Sequence, residues 1–374
     1  MVHDRASNPG RILVFRIGQL GDTIVALPAF WMLRAAYPAA SITLLTNSAP
    51  NHVGAVAAND VLPDGLFDNV ISYPSNTRGF AALAQRLALA NRIRRGRFER
   101  AYYLMPRNRT PAQISRDLRF FRLSGIKDVA GVRFHQQNLL EFPIPVPTPE
   151  TSSEVDFLVE MLRSEGIDPG DKSQDLLRLS KDERQAAARW LCENCLVPDS
   201  EIIVAVAPGS NWPSKTWASD RFESVISRLM SQFNIFPVVV GGPQDRTAGD
   251  RLIDSWGRGA NAAGRLTVRE SAALLERCSL FLGNDTGTMH LAAAVGTPCV
   301  AVFSAVDWIG KWAPFGGQRN RILRARIDCE GCRLQACPYG NKCLDLVSVD
   351  ETFAACVDLL SRGSRSDVLA AYQV

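Results

Sequence analysis

The segment Asn284-Asp285-Thr286-Gly287-Thr288-Met289-His290 follows an apolar run, Cys278 to Leu282, and leads into a helical one. A strand that ends in small, hydroxylated residues before a helix leaves unpaired backbone N–H groups at the positive end of the helix dipole. With threonine hydroxyls added, this is an arrangement suited to holding a phosphate. An ordinary helix cap made by Asp285 or Thr286 is the competing reading. His290, one of four histidines with His3, His52 and His135, lies one turn into the helix. No two of them stand at metal-ligand spacing, so His290 serves either a packed core or the ligand.

Other turns carry further chemistry. Pro208-Gly209-Ser210-Asn211-Trp212-Pro213-Ser214-Lys215 follows a buried run, and Lys215 is a diphosphate partner or a solvated loop cation. Asp245, after Gly241-Gly242-Pro243, would accept from ribose hydroxyls or cap the following helix. Near the N-terminus, Gly18-Gln19-Leu20-Gly21-Asp22 puts a carboxylate on a glycine-flanked turn, as a helix cap or as a general base for a hydroxyl. The glycine spacing there is wrong for a dinucleotide fingerprint, and the next strand ends in Thr46-Asn47 with no acid for a ribose. A nicotinamide oxidoreductase is therefore disfavoured.

Arginines crowd one region, from Arg92 to Arg122, and include Arg107, Arg109 and Arg116. They form a solvated face or the wall of a site for an anionic partner. Cys329-x2-Cys332-x4-Cys337-x5-Cys343 is compact enough for a tetrahedral thiolate site, but its spacing is not that of a zinc ribbon. Buried or loop thiols without metal are the expectation.

These turns need elements to position them. Arg11–Ile17, Ser41–Thr46 and Arg100–Met105 read as strands, and Thr23–Tyr37, 78–95 and Pro111–Ser124 as helices. The proline-rich stretch 142–149 approaches a boundary. Beyond it, Ile202–Ala207, Phe236–Val240, Cys278–Leu282 and Cys299–Phe303 read as strands. Lys181–Asn194, Arg221–Gln232, Val268–Arg277, Met289–Val295 and Val349–Leu360 read as helices. This alternation implies an α/β protein of two Rossmann-like domains, 1–175 and 176–374, with parallel sheets facing a central cleft. Ligands then sit at the carboxyl ends of the strands. The closing helix could return to pack on the first domain.

Bulk properties agree. A chain of 374 residues exceeds one ordinary core, and 46% hydrophobic with 21% charged residues is globular in type. A net charge of +4 does not by itself point to nucleic acid. No apolar window spans a bilayer, the N-terminal run lacks signal-peptide features, and nine cysteines without an export signal suit a reducing cytoplasm.

Taken together, Gly-x-x-Gly-Asp with Ala26-Leu27-Pro28, the Pro-Gly-Ser…Lys-x-Trp segment, Gly-Gly-Pro, Asn-Asp-Thr-Gly-Thr-Met-His-Leu and Cys337-Pro338…Cys343-Leu344 resemble glycosyltransferase family nine. The likeness is to ADP-heptose:lipopolysaccharide heptosyltransferases, and to the second enzyme of inner-core assembly in particular. It implies a GT-B fold and inverting transfer of heptose from ADP-heptose to an anionic core glycolipid, with no cofactor or catalytic metal. It implies Asp22 as general base and Ser210 and Lys215 on the donor diphosphate. Asp285, Thr286, Gly287 and His290 would line the donor site, and Asp245 would sit near the ribose. Arg107, Arg109 and Arg116 would meet the acceptor, in a cytoplasmic protein touching the inner membrane. A family-nine transferase of another nucleotide sugar, or a non-catalytic nucleotide-sugar or glycolipid binder, is the alternative.

Overall fold

The structure is a computed structural model that describes residues 9–48, 56–74, 79–168, 175–194 and 202–371. The chain forms two compact units. Of the described residues, those up to 141 together with 154–168 and 175–176 form the first, and 142–153 and 177–371 the second.

The first unit has strands β1 (Arg11–Phe15), β2 (Ser41–Asn47), β3 (Asn69–Tyr73), β4 (Arg100–Tyr103) and β5 (Asp128–Ala130). They pair in parallel in the order β3-β2-β1-β4-β5. Its helices are α1 (Leu20–Ile24), α2 (Leu27–Ala36), α3 (Gly79–Gly96), α4 (Pro111–Leu123), α5 (Val132–Gln137) and α6 (Glu154–Ser164). The single helix expected over Thr23–Tyr37 is two, because Pro28 sits in the first turn of α2, where its missing N–H costs nothing, and starts a new helix. Leu13, Phe15, Tyr103, Ile114 and Phe121 pack the core under the sheet, with Phe15 and Phe121 edge to face at 5.3 Å.

The second unit has β6 (Ile202–Ala207), β7 (Ile235–Val239), β8 (Ala260–Asn261), β9 (Leu280–Asn284), β10 (Cys299–Val302) and β11 (Arg321–Leu323). Their order is β11-β10-β9-β6-β7-β8, all parallel. The helices are α7 (Lys181–Asn194), α8 (Ser219–Gln232), α9 (Arg246–Trp256), α10 (Val268–Glu276), α11 (Gly287–Ala294), α12 (Lys342–Asp345) and α13 (Val349–Ala371). Helix α8 shows the rule: Phe222, Val225, Ile226 and Leu229 fall on one stripe and are all fully buried. Each contributes on the order of 2 kcal/mol of transfer free energy. Helix α13 packs on α8 and against the sheet of its own unit, where Cys356, Leu359 and Leu360 are buried.

In each sheet the strand order reverses at one place, between β1 and β4 and between β6 and β9. Such switch points open a crevice outside the carboxyl ends of the strands. The turn carrying Asp22 follows β1, and those carrying Lys215 and Asp285 follow β6 and β9. Among the described residues no helix is long and apolar enough to cross a membrane.

Candidate active site

At the second switch point, Lys215 Nζ lies 2.5 Å from Asp285 Oδ2 and 5.5 Å from the Trp212 ring centroid. The side chains are 15% and 7% exposed, so the pair is sheltered yet reachable. Asn284 ends β9 in full burial and fixes this geometry. Its Oδ1 accepts from Trp217 N at 3.0 Å, and its Nδ2 donates to Pro208 O at 2.8 Å. The loop after β6 is thereby tied to the strand that leads into α11. The Ser210 hydroxyl accepts from Trp212 N at 3.2 Å and shapes the same loop.

Thr286 is the N-cap of α11 without a side-chain capping bond, and its buried hydroxyl has no hydrogen-bond partner. Thr286 and Gly287 thus bring backbone amides and a hydroxyl to the helix start beside Lys215 and Asp285. His290 is 4% exposed, with its ring centroid 6.2 Å from that of Trp312.

Asp245 Oδ2 accepts from Gly242 N at 2.8 Å, so its carboxylate turns back over the loop after β7 and does not cap α9. A Cβ on Gly209 would lie 1.9 Å from Asp245 Oδ1, so the loops after β6 and β7 meet through a glycine and a carboxylate. Burial raises the Asp245 pKa, against the lowering effect of the Gly242 amide. Ser210, Lys215, Asp245, Asp285, Thr286, Gly287 and His290 therefore all belong to strand ends β6, β7 and β9 or to the helix after β9.

Sequence reasoning missed a further group. The Asp307 carboxylate accepts from Trp312 Nε1 at 2.9 Å and lies 3.2 Å from Lys311 Nζ, which is fully buried; Arg333 is 3.6 Å away. Burial alone would raise the Asp307 carboxyl, but Lys311 and Arg333 hold it below its ordinary value. Trp312 links this cluster to His290. A lysine four residues after an aspartate outside any helix gives no periodic signal in sequence.

In the first unit, Asp22 occupies the third position of α1, inside the helix and not at its cap. Its Oδ2 accepts from Gln19 N at 2.9 Å, and the side chain is 24% exposed. Arg16, 2% exposed, lies behind it. Nη2 is 3.7 Å from Asp22 Oδ1, Nε donates to Asp22 O at 3.0 Å, and Nη1 donates to Leu104 O at 2.9 Å. Burial lowers the Arg16 pKa, while Asp22 and Glu154 favour the charged form. Arg16 was not among the expected site residues, and the sequence signal that marks it is a charge directly after the apolar β1. A Cβ on Gly18 would lie 2.2 Å from that of Asp22, so the turn requires glycine there.

The arginines separate. Arg107 is 3% exposed, pairs with buried Glu154 at 3.2 Å and stacks 4.9 Å from the Phe157 ring centroid. A guanidinium so enclosed holds α6 to the strand end. Arg109 pairs with Asp117, itself bonded to Tyr103, and Arg116 is exposed beside the same carboxylate. Of the four histidines, His3 and His52 lie outside the described residues. His135 is fully buried, with Nε2 within 3.0 and 3.1 Å of the Met105 and Pro106 carbonyls.

No described cysteine is in a disulfide. Among the described residues no three His, Cys, Asp or Glu side chains are arranged as a metal-ligand set, yet Cys329, Cys332, Cys337 and Cys343 border one cavity.

Lipopolysaccharide heptosyltransferase 2 of Escherichia coli K12 is 24% identical over 309 residues, covering 78% of this chain and 82% of that protein. A glycosyltransferase family 9 structure from Veillonella parvula superposes with a TM-score of 0.68 at 19% identity, covering 94% of this chain and 97% of that one. The structure of E. coli ADP-heptose lps heptosyltransferase II gives 0.61 at 18% identity, covering 95% and 99%. These likenesses establish the α/β fold as GT-B in type. The profile of glycosyltransferase family 9 (heptosyltransferase) matches residues 139–343, which take in every donor-side residue named above, and the chain belongs to that family of glycosyltransferases.

Proposed function

We propose that the protein moves heptose from ADP-heptose to an anionic lipopolysaccharide core acceptor, by inverting displacement without a catalytic metal. The observation that carries this reading is the Lys215–Asp285 pair, held at 2.5 Å beside the start of α11 at the β6/β9 switch point. Asp22 takes the proton from the acceptor hydroxyl. That oxygen forms a bond to the anomeric carbon as the bond to the diphosphate oxygen breaks, and the nucleotide leaves with the electron pair. One displacement from the opposite face inverts the centre.

Charge grows on the leaving diphosphate, where Lys215 and the amides of Thr286 and Gly287 stabilise it; preorganised donors of this kind contribute about 3 to 4 kcal/mol each. Asp285 holds Lys215 in place before the donor arrives. Ser210 bonds the diphosphate, His290 lines the sugar side, and Asp245 accepts from the ribose hydroxyls. Arg109 and Arg116, already bridged by Asp117, meet acidic groups of the acceptor. Arg16 positions Asp22.

The acceptor is anchored in a bilayer, and one helix suits work at its cytoplasmic surface. Phe80, Leu83 and Leu87 of α3 are 93%, 54% and 63% exposed, at i, i+3 and i+7, with exposed arginines along the same helix.

The test is incubation with ADP-heptose and a heptose-acceptor core glycolipid, with and without EDTA, followed by mass spectrometry and anomeric NMR. The expected result is a heptose added with inversion, ADP released, and equal rates with chelator. Consumption of a different nucleotide sugar under the same conditions would reassign the donor.

A further inference from the structure

We infer that Cys329, Cys332, Cys337 and Cys343 form a tetrathiolate site for one soft divalent ion, zinc or ferrous iron, which braces the turn carrying Lys215. All four line a single cavity of about 20 Å3, together with Ser214 and Lys342. Cys329 lies in a tight turn over 328–331 with Cys332 just after it, while Cys337 precedes a second turn over 338–341 and Cys343 follows it on α12. Gly331 and Gly340, with φ of 75° and 67°, let the chain reverse within them.

Backbone amides already point at two sulfurs: Tyr339 N donates to Cys337 Sγ and Ala305 N to Cys343 Sγ, each at 3.4 Å. Amide donors of this kind orient a metal ligand. Lys342 adds a positive charge at the rim. The sulfurs border the void without converging on a point. Cys329 and Cys332 are exposed, so rotating their side chains inward meets little packing. Closing the site brings the four sulfurs to about 2.3 Å from the ion, each thiol releasing its proton to solvent.

The loop that bears these thiols also grips the donor side. Ser214 N donates to Gln335 O at 3.0 Å, Ser214 Oγ to Leu334 O at 2.5 Å, and Asn341 Nδ2 to Pro213 O at 2.9 Å. Three bonds thus fasten Pro213 and Ser214 to the cysteine loop, next to Lys215. Gly331 N to Ala305 O at 2.6 Å and Arg333 N to Val306 O at 2.9 Å fix the loop's other side. An ion that rigidifies 329–343 therefore sets where the lysine stands. This second part rests on Lys215 serving the donor; the ion itself does not.

The experiment is elemental analysis of the full chain, purified without chelator from cells supplied with zinc or with ferrous iron. About one ion per chain is expected. Iron is distinguished from zinc by visible charge-transfer absorption after oxidation. Retention below about 0.1 ion per chain from both media, with all four thiols open to a thiol reagent, would overturn the site.

Cys329→Ser and Cys332→Ser, at exposed positions that leave the core intact, should release the ion into a colorimetric chelator. They should also raise the KM for ADP-heptose about tenfold, with kcat within about twofold. Loss of the ion without a change in that KM would overturn the bracing role alone. Absence of any transferase activity in the wild type would count against the donor assignment and leave the elemental result standing.

Discussion

Lys215 and Asp285 reach each other from loops at the ends of adjacent parallel strands, β6 and β9, and meet at 2.5 Å. The pair is mostly buried, so removing one partner strands the other's charge, which makes the choice of substitution informative. Lys215→Gln removes the charge but keeps a donor. It is expected to lower kcat/KM about 10²- to 10³-fold while the fold persists, read by steady-state kinetics beside circular dichroism. Activity within about threefold of wild type would take Lys215 out of the reaction.

Asp22→Asn preserves shape and can still accept from Gln19 N through its amide oxygen. What it loses is the ability to take a proton. A fall in kcat of about 10²- to 10⁴-fold is expected, with nucleotide affinity unchanged by calorimetry. A parallel loss of nucleotide affinity would mean that the turn had moved and that the base had not been tested.

His135 gives the first unit a dependence on acid. Burial, against the partial compensation of the Pro106 and Met105 carbonyls, pushes its pKa from 6.5 down to about 4. The folded state therefore resists a proton that the unfolded chain accepts, and stability rises with pH between these values. The stabilisation is complete above about pH 6.5 and is lost as pH falls towards 4, by about 3 kcal/mol in all. Denaturant titrations of wild type and His135→Asn across this window check it: the variant should have a shallower slope.

The exposed face of α3 predicts a membrane readout. Replacing Phe80, Leu83 and Leu87 together by Ser removes apolar area that already faces solvent, so stability should hardly change. Co-sedimentation with vesicles containing anionic lipid should drop about tenfold or more, while turnover of a water-soluble acceptor fragment stays constant. Equal sedimentation of both proteins would remove α3 from any role at a bilayer.

Much of the scaffold could be read directly. The apolar runs of β6, β9 and β10 and the spaced apolar stripe of α8 are determined by burial on two faces or on one. Strands β3, β5, β8 and β11 escaped notice. β3 is half-exposed at an edge, while β5, β8 and β11 have only two or three residues, so none carries a distinctive period.

The residues proposed for the donor side could be named from sequence for a local reason: each lies in the turn or helix start that follows a strand. The burial of Arg107 was not legible because its partner, Glu154, stands 47 positions away and leaves no mark near the arginine itself. The Asp307–Lys311–Trp312 cluster was invisible for a related reason, since it is assembled by an irregular loop.

Asn284 uses both halves of one amide to fasten the segment that bears Lys215. An aspartate there would lack the donor and a leucine both functions. The ordering entropy of this cradle is met while the chain folds, so under the proposed function an arriving nucleotide encounters a finished anchor and not a floppy loop. Altered sugar choice should then arise from changes around a stationary phosphate grip, and engineering of donor preference has reason to leave this asparagine alone.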